Sequence, residues 1–95
     1  MKQGLQERLS PMTWTPDEET LTAFRHLALQ NAIEYEGKAA PGSVIGRLMG
    51  TRSDLREHGK IISPLIAKAV AEANKMATEQ GIPALQAILE AEAPH

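Results

Sequence analysis

Six polar side chains between residues 38 and 60 have the chemistry to bind phosphate groups. Five are cations and one is a hydroxyl donor: Lys38, Ser43, Arg47, Arg52, Arg56 and Lys60. Arginine offers a planar fork of N–H donors that matches phosphate oxygens, and lysine adds a mobile point charge. Lys38 also shortly precedes a predicted helix start, where unpaired backbone N–H groups favour anions. The cluster predicts a surface that binds RNA phosphates, although a single cation of this kind is most often only a solvated charge.

Three glycines recur every four residues within the same segment, at Gly42, Gly46 and Gly50. A glycine inside a helix costs about 1 kcal/mol relative to alanine, so the missing side chain should serve a close contact. Two interpretations stay open. Either the preceding helix packs tightly over these glycines, or an RNA backbone or a neighbouring domain approaches them from outside.

Base stacking and metal binding have little support in the residue types present. Single-stranded bases usually stack on aromatic side chains, and the chain has one Trp, one Tyr and one Phe. Trp14 is expected to pack at a helix entrance and Tyr35 in the core. His26, His58 and His95 lack the spacing that would place two metal ligands on one helix face. Any RNA contact should therefore be to phosphate and shape, and no metal site is predicted.

The composition of the 95 residues indicates one soluble domain. No cysteine is present, so disulfides and thiolate metal sites are excluded, and no apolar run approaches a membrane span. These features predict a cytoplasmic protein. The net charge of −2 argues against a general nucleic-acid binder, but residues 37–76 carry +4 and the segments on either side each carry −3.

The pattern of apolar residues predicts an all-α fold, a small bundle of four or five helices over residues 15–92. Residues 1–14 have no clear period and are expected to form a flexible or partly helical arm. The first helix is predicted to begin with Thr15 as its cap and Pro16 in its first position. It is predicted to end at Gly37, which would supply a left-handed residue.

Three further helices are predicted, over about residues 42–49, 60–80 and 83–91. Pro41 opens the first of these and Gly50 closes it, and a helical turn or loop around Leu55 follows. Pro64, with the serine before it, is an alternative start for the longest helix. The core is predicted to contain Leu21, Phe24, Ala28, Ile45, Leu48, Ile66, Val70, Met76 and Leu85.

Two sequence blocks resemble those of a known protein family. One is Leu29-Gln30-Asn31-Ala32 at a predicted helix end, and the other is Gly37-Lys38-Ala39-Ala40-Pro41-Gly42 in the loop that follows. Together they resemble the amino-terminal helical region of archaeal-type glutamyl-tRNA synthetases. The resemblance covers residues 27–76, about half of the chain.

This resemblance implies a domain that assists translation by binding tRNA, with the tRNA for glutamate and the catalytic core of a parent enzyme as partners. In such a parent, a class I core joins glutamate to tRNA with ATP and magnesium. The chain lacks the His-x-Gly-His and Lys-Met-Ser-Lys-Ser motifs of that core, and the string Lys75-Met76-Ala77-Thr78 only begins like the second. We therefore expect no catalysis and no cofactor in this segment, and no binding to membranes or DNA.

Two other functions compete with tRNA binding. The glycine face, together with Ile45 and Met49, could dock a partner protein or the core of a parent enzyme. A helix-turn-helix that reads DNA could use Gly50 as its turn, but the helix after it would be too short and too interrupted by Gly59 to fill a major groove.

Overall fold

The computed structural model describes residues 14–92, which form four α-helices and one 3₁₀ helix. The α-helices are α1 (Glu18–Glu34), α2 (Pro41–Thr51), α3 (Gly59–Gln80) and α4 (Ile82–Glu92), and the 3₁₀ helix is Ser53–His58. No strand occurs within the described residues. The predicted all-α bundle is confirmed, whereas the predicted arm over residues 1–14 lies almost wholly outside this range.

Helix α1 begins later than the sequence predicted, because Asp17 and not Thr15 is its cap. The Asp17 carboxylate accepts a hydrogen bond from the backbone N–H of Thr20 at 2.8 Å. Hydrogen bonding by Thr20, from its side chain and then from its backbone N–H, lowers the pKa of Asp17. A carboxylate at this position also interacts favourably with the positive end of the helix dipole, which explains why aspartate takes the cap.

The end of α1 also differs from the prediction, because Glu36 supplies the first left-handed residue. Glu36 has φ of 54° and Gly37 follows with φ of 84°. The Gly37 N–H donates to the Ala32 carbonyl at 2.8 Å, and the Glu36 N–H donates to the Ile33 carbonyl at 3.3 Å. This pair of bonds is the Schellman motif, which satisfies the last carbonyls of the helix.

The remaining boundaries lie within two residues of their predicted positions. Pro41 occupies the first turn of α2, and the helix continues past Gly50 to Thr51. Pro64 lies inside α3, so the alternative start at this residue was wrong. Gly81, with φ of 95°, separates α3 from α4.

Helices α1 and α3 form the central pair and run in the same direction. Trp14, just before α1, stacks on His58, just before α3, and Gly37, just after α1, lies against Ala77 near the end of α3. Helix α2 runs back along one side of this pair. Helix α4 returns along the other side, so that Glu92 reaches Arg25 and His26 on α1.

The core lies between these helices and largely matches the predicted set. Six predicted core residues are fully buried: Phe24, Ala28, Leu48, Ile66, Val70 and Leu85. Ile45 and Met76 are half-buried and pack against this core. Leu21 was wrongly placed in it, because α4 ends beside Arg25 and leaves the first turns of α1 uncovered, so that Leu21 is 44% exposed.

Candidate nucleic-acid interface

The six predicted phosphate-binding residues are spread along two sides of the bundle. Lys38 lies in the turn after α1, and Ser43 and Arg47 lie on α2. Arg52 follows α2, and Arg56 and Lys60 are exposed in the 3₁₀ helix and at the start of α3. The structure therefore divides the cluster, and the partners of each residue decide which of them are available to a ligand.

Arg47 is occupied by a carboxylate from α1. Its guanidinium donates to both oxygens of Glu34, at 2.8 Å and 3.3 Å. This hydrogen-bonded contact raises the pKa of Arg47. Because the pair is exposed it contributes little to stability, but Glu34 cancels the charge that Arg47 would offer to a phosphate.

Arg52 is occupied in the same way by Asp54, two residues later in the chain. Two of its nitrogens donate to the two Asp54 oxygens, each at 3.0 Å, and a third contacts the Thr20 hydroxyl at 3.5 Å. The hydrogen bonds from Arg52 lower the pKa of Asp54, and those to Asp54 raise the pKa of Arg52. The pair joins the 3₁₀ helix to the first turn of α1.

The Ser43 hydroxyl is used inside the bundle. It donates to the side-chain carbonyl oxygen of Asn31 at 2.7 Å, and the Asn31 amide donates to the Leu27 backbone carbonyl at 2.9 Å. Asn31 is fully buried, so these bonds satisfy a polar group that would otherwise be costly. In this arrangement the single hydroxyl proton of Ser43 is not available to a phosphate.

The turn that carries Lys38 is held in place by Asn74 on α3. The Ala39 N–H donates to the Asn74 side-chain oxygen at 3.0 Å, and the Asn74 amide donates back to the Ala39 carbonyl at 2.9 Å. Lys38 itself is exposed. Asn74 was not among the residues that the sequence singled out, because its partner is 35 residues away in the chain.

The three glycines on α2 face outward, and the prediction that α1 packs tightly over them was wrong. A Cβ atom built on Gly42, Gly46 or Gly50 would meet no other atom within 4 Å. The reason is that α2 contacts α1 through Val44 and Leu48, which are buried, and presents the glycines on its opposite side. Close approach of a molecule from outside stays a prediction.

The aromatic residues offer little surface for stacking bases. Trp14 stacks on the His58 ring, with ring centres 3.9 Å apart and planes within 6°. The buried Nδ1 of His58 has no hydrogen-bond partner within the described residues. Tyr35 was predicted in the core but is 49% exposed, because it lies past the last turn of α1, where the chain turns into solvent.

Two lysines that were not predicted as site residues have more freedom than Arg47 and Arg52. Lys68 and Lys75 are exposed on α3, and neither makes an ion pair within the described residues. Together with Lys60 they are spaced by eight and seven residues, which is close to two helical turns. That spacing was visible in the sequence and would have placed all three on one side of a helix.

An open apolar groove of about 210 Å³ lies between α1 and α3 on the side that α4 leaves uncovered. Leu21 and Leu65 are its exposed apolar residues, and Phe24 and Met76 line its floor. Ile45 and Met49, which the docking hypothesis used, are instead half-buried against the core. The exposed apolar surface is therefore on the opposite side from the one predicted.

Two other kinds of feature, a metal centre and a membrane-spanning helix, do not occur in the part of the chain that the structure describes. No three His, Asp or Glu side chains between residues 14 and 92 converge in a way that could hold a metal ion. No helix in this range is long and apolar enough to cross a membrane.

The sequence is similar to part of several archaeal enzymes. It is 41% identical over 63 residues to the glutamate–tRNA ligase of Methanothrix thermoacetophila, a match that covers 66% of this chain and 11% of the ligase. It is 42% identical over 66 residues to the ligase of Pyrococcus horikoshii, covering 70% of this chain and 11% of the ligase. The chain corresponds to a small domain of archaeal glutamate–tRNA ligases.

This domain spans only about a tenth of the length of the ligases that it matches. The ligase of Nitrosopumilus maritimus gives a similar result, with 36% identity over 64 residues and coverage of 67% of this chain and 11% of the ligase. No family model matches the chain. No solved structure matches it either.

Proposed function

We propose that this glutamate–tRNA ligase domain assists tRNA binding through contacts to phosphates and to the shape of the RNA. The observation that supports it most is the charge of residues 37–76, which carry +4 in a chain of net charge −2. The similarity to glutamate–tRNA ligases makes tRNA the natural partner for that charge. Such a distribution gives a local attraction for a polyanion without making the whole protein basic.

The chemistry of aminoacylation is assigned to the rest of a parent ligase. The domain would raise the affinity for tRNA for glutamate, and a class I core would use ATP and magnesium to join the amino acid to it in the cytoplasm. This division is consistent with the absence of the two class I nucleotide motifs from the sequence. The isolated chain should therefore show no ATP–pyrophosphate exchange with glutamate above that of a heat-denatured sample.

The expected binding is weak, depends on salt and has little sequence preference. If about three of the candidate cations Lys38, Arg47, Arg52, Arg56 and Lys60 neutralise phosphates, the slope of log affinity against log salt should be about −2 to −3. Titration of a labelled tRNA for glutamate at several salt concentrations measures it. Binding that is absent, or indifferent to salt, would contradict the proposal.

Docking onto another protein or onto the core of the parent stays the alternative function. The exposed residues Leu21 and Leu65 in the α1–α3 groove are the observation that favours it. Under this alternative, Leu21→Ser together with Leu65→Ser would weaken association with the remainder of the ligase and leave tRNA affinity of the isolated chain unchanged. A copurification of the separated parts distinguishes the two functions.

A further inference from the structure

A row of lysines follows the exposed side of α3. Lys60, Lys68 and Lys75 are all exposed, and none has a carboxylate within ion-pair distance among the described residues. With a rise of about 1.5 Å per residue, the row spans about 22 Å from Lys60 to Lys75.

Small residues separate these lysines along the same side of α3. Pro64, Ala67 and Ala71 lie four, seven and eleven residues after Lys60, which are the spacings of one helix face, and all three are exposed. The side chains along this line are therefore short, whereas the exposed Glu72 and Glu79 lie at its edge, each four residues after a lysine of the row, and neither pairs with a lysine in the described residues. A nucleic-acid strand could approach the helix closely along the short side chains while the lysines reach its phosphates.

Lys38 extends the row at its far end. Gly37 lies against α3, since a Cβ built on it would be 3.4 Å from both Ala77 and Thr78, and the hydrogen bonds between Ala39 and Asn74 fix the next part of the turn. Lys38 is held between these two anchored residues, near the end of α3 that carries Lys75. The four lysines Lys38, Lys60, Lys68 and Lys75 are defined here as the basic stripe.

Of the three arginines that the sequence favoured, Arg56 is exposed and makes no ion pair within the described residues, but Arg47 and Arg52 are less suited to the same role. Arg47 and Arg52 each donate two hydrogen bonds to a carboxylate, Glu34 and Asp54 respectively. A phosphate that bound either arginine would have to displace that carboxylate or share the guanidinium with it. The lysines of the basic stripe require no such exchange.

We propose that the basic stripe is the surface that binds the phosphate backbone of a double-helical RNA stem. This inference rests on the proposed tRNA-binding function and specifies where on the domain it takes place. A duplex is preferred to a single strand because the face between the lysines carries proline and alanine and no aromatic side chain on which bases could stack. Lysine contacts of this kind recognise charge and shape and not base identity.

The test compares three double variants of the full 95-residue chain that change the net charge equally. The stripe variant is Lys68→Gln with Lys75→Gln, and the arginine variant is Arg47→Gln with Arg52→Gln. The control variant is Gln30→Glu with Gln86→Glu, which alters two exposed positions on α1 and α4. Each is titrated with a labelled tRNA for glutamate at several salt concentrations, and circular dichroism verifies that each remains folded.

We expect the stripe variant to lose affinity and its salt slope to become shallower by about 1.5 to 2, because two phosphate contacts are removed. The arginine and control variants should keep slopes close to that of the unchanged chain. If the salt slope becomes shallower in the arginine variant and is unchanged in the stripe variant, the role of the basic stripe is refuted while tRNA binding stands. Equal losses in all three variants would also refute it, since net charge alone would then explain binding.

A second titration tests the preference for duplex. A short RNA hairpin is compared with an oligouridylate that has the same number of phosphates, and the hairpin should bind more tightly. Equal or tighter binding of the oligouridylate would contradict a surface shaped for a stem. If the unchanged chain binds no RNA at all in either titration, the proposed function fails and the role of the basic stripe fails with it.

Discussion

Replacement of Asn74 by alanine should destabilise the domain more than any other change of a single polar side chain on α3. Its amide makes two hydrogen bonds to the backbone of one residue, Ala39, at 3.0 Å and 2.9 Å. Ala39 is 8% exposed, so its N–H and carbonyl have little access to replacement water. Asn74→Ala therefore removes the partners of both backbone polar groups of a buried residue.

The magnitude follows from the cost of leaving buried polar groups unsatisfied. Each of the two lost partners costs about 1–3 kcal/mol, and the better helix propensity of alanine returns roughly 0.5 kcal/mol, so a net loss of about 1.5–5.5 kcal/mol is expected. For a domain of this size, at about 4–8 °C per kcal/mol, even the lower end of that loss corresponds to a decrease in Tm of about 6–12 °C. Against the usual stability of about 5–15 kcal/mol it is a large fraction.

Thermal unfolding followed by circular dichroism measures the effect. Lys75→Ala is the matched control, since it changes an exposed neighbour on the same helix and should alter stability by no more than about 0.5 kcal/mol. A Tm for Asn74→Ala within a few degrees of the control would mean that the Ala39 backbone finds water or another partner, and the reasoning would be wrong.

Asn74→Asp separates the two hydrogen bonds. The carboxylate can still accept from the Ala39 N–H, but it places a second oxygen against the Ala39 carbonyl, to which only a protonated acid can donate. The folded state therefore favours the neutral acid, so its pKa is raised on folding. The stability of this variant relative to the unchanged chain should improve as the pH falls to about 4 and below, and decline as the pH rises through the folded pKa.

Three other measurements follow from the packing and the caps. Phe24→Ala should cost about 3–5 kcal/mol, since Phe24 is 2% exposed, and a denaturant titration that found less than about 1 kcal/mol would contradict its place in the core. Gly46→Ala should stabilise α2 by about 0.5–1 kcal/mol, because a Cβ atom at this position would contact no other atom. Gly37→Ala should destabilise the domain, because Gly37 has a positive φ that alanine adopts poorly. Equal changes in Tm for the two variants would refute this contrast. Hydrogen bonds from Thr20 lower the pKa of Asp17, so the stabilising contribution of Asp17 is present at neutral pH and is lost as the pH falls through the folded pKa. The Tm of Asp17→Asn should therefore depend less on acid pH than the Tm of the unchanged chain. An unchanged pH dependence would contradict the role of the cap.

The helices were predictable from sequence because their signals are local. Apolar residues recur at helical spacing, Pro41 suits a first helical turn, and Gly81 interrupts the pattern between α3 and α4. The errors also have local explanations. Asp17 and Thr15 are both good caps, and the choice between them depends on where the first turn begins, which residue spacing does not determine.

The candidate site was less predictable, because its properties depend on contacts between distant residues. Glu34 is 13 residues from Arg47, and Asn74 is 35 residues from Ala39. Neither pairing follows from periodicity. The exposure of Leu21 likewise depends on the point at which α4 ends, which is set by the packing of α4 on α1.

Some cations of this domain are already paired with carboxylates, and this limits the kind of recognition that the domain can provide. A carboxylate on α1 occupies Arg47 and Asp54 occupies Arg52, so the cations that lack a partner in the described residues are chiefly lysines. A lysine ammonium is a point charge with no fixed fork, and it discriminates poorly between one phosphate geometry and another. A surface of this type adds affinity that falls with salt and leaves discrimination between tRNAs to other contacts. If the proposed function is correct, removing the domain from a ligase should therefore raise the KM for tRNA, with little change in the preference for tRNA for glutamate over other tRNAs.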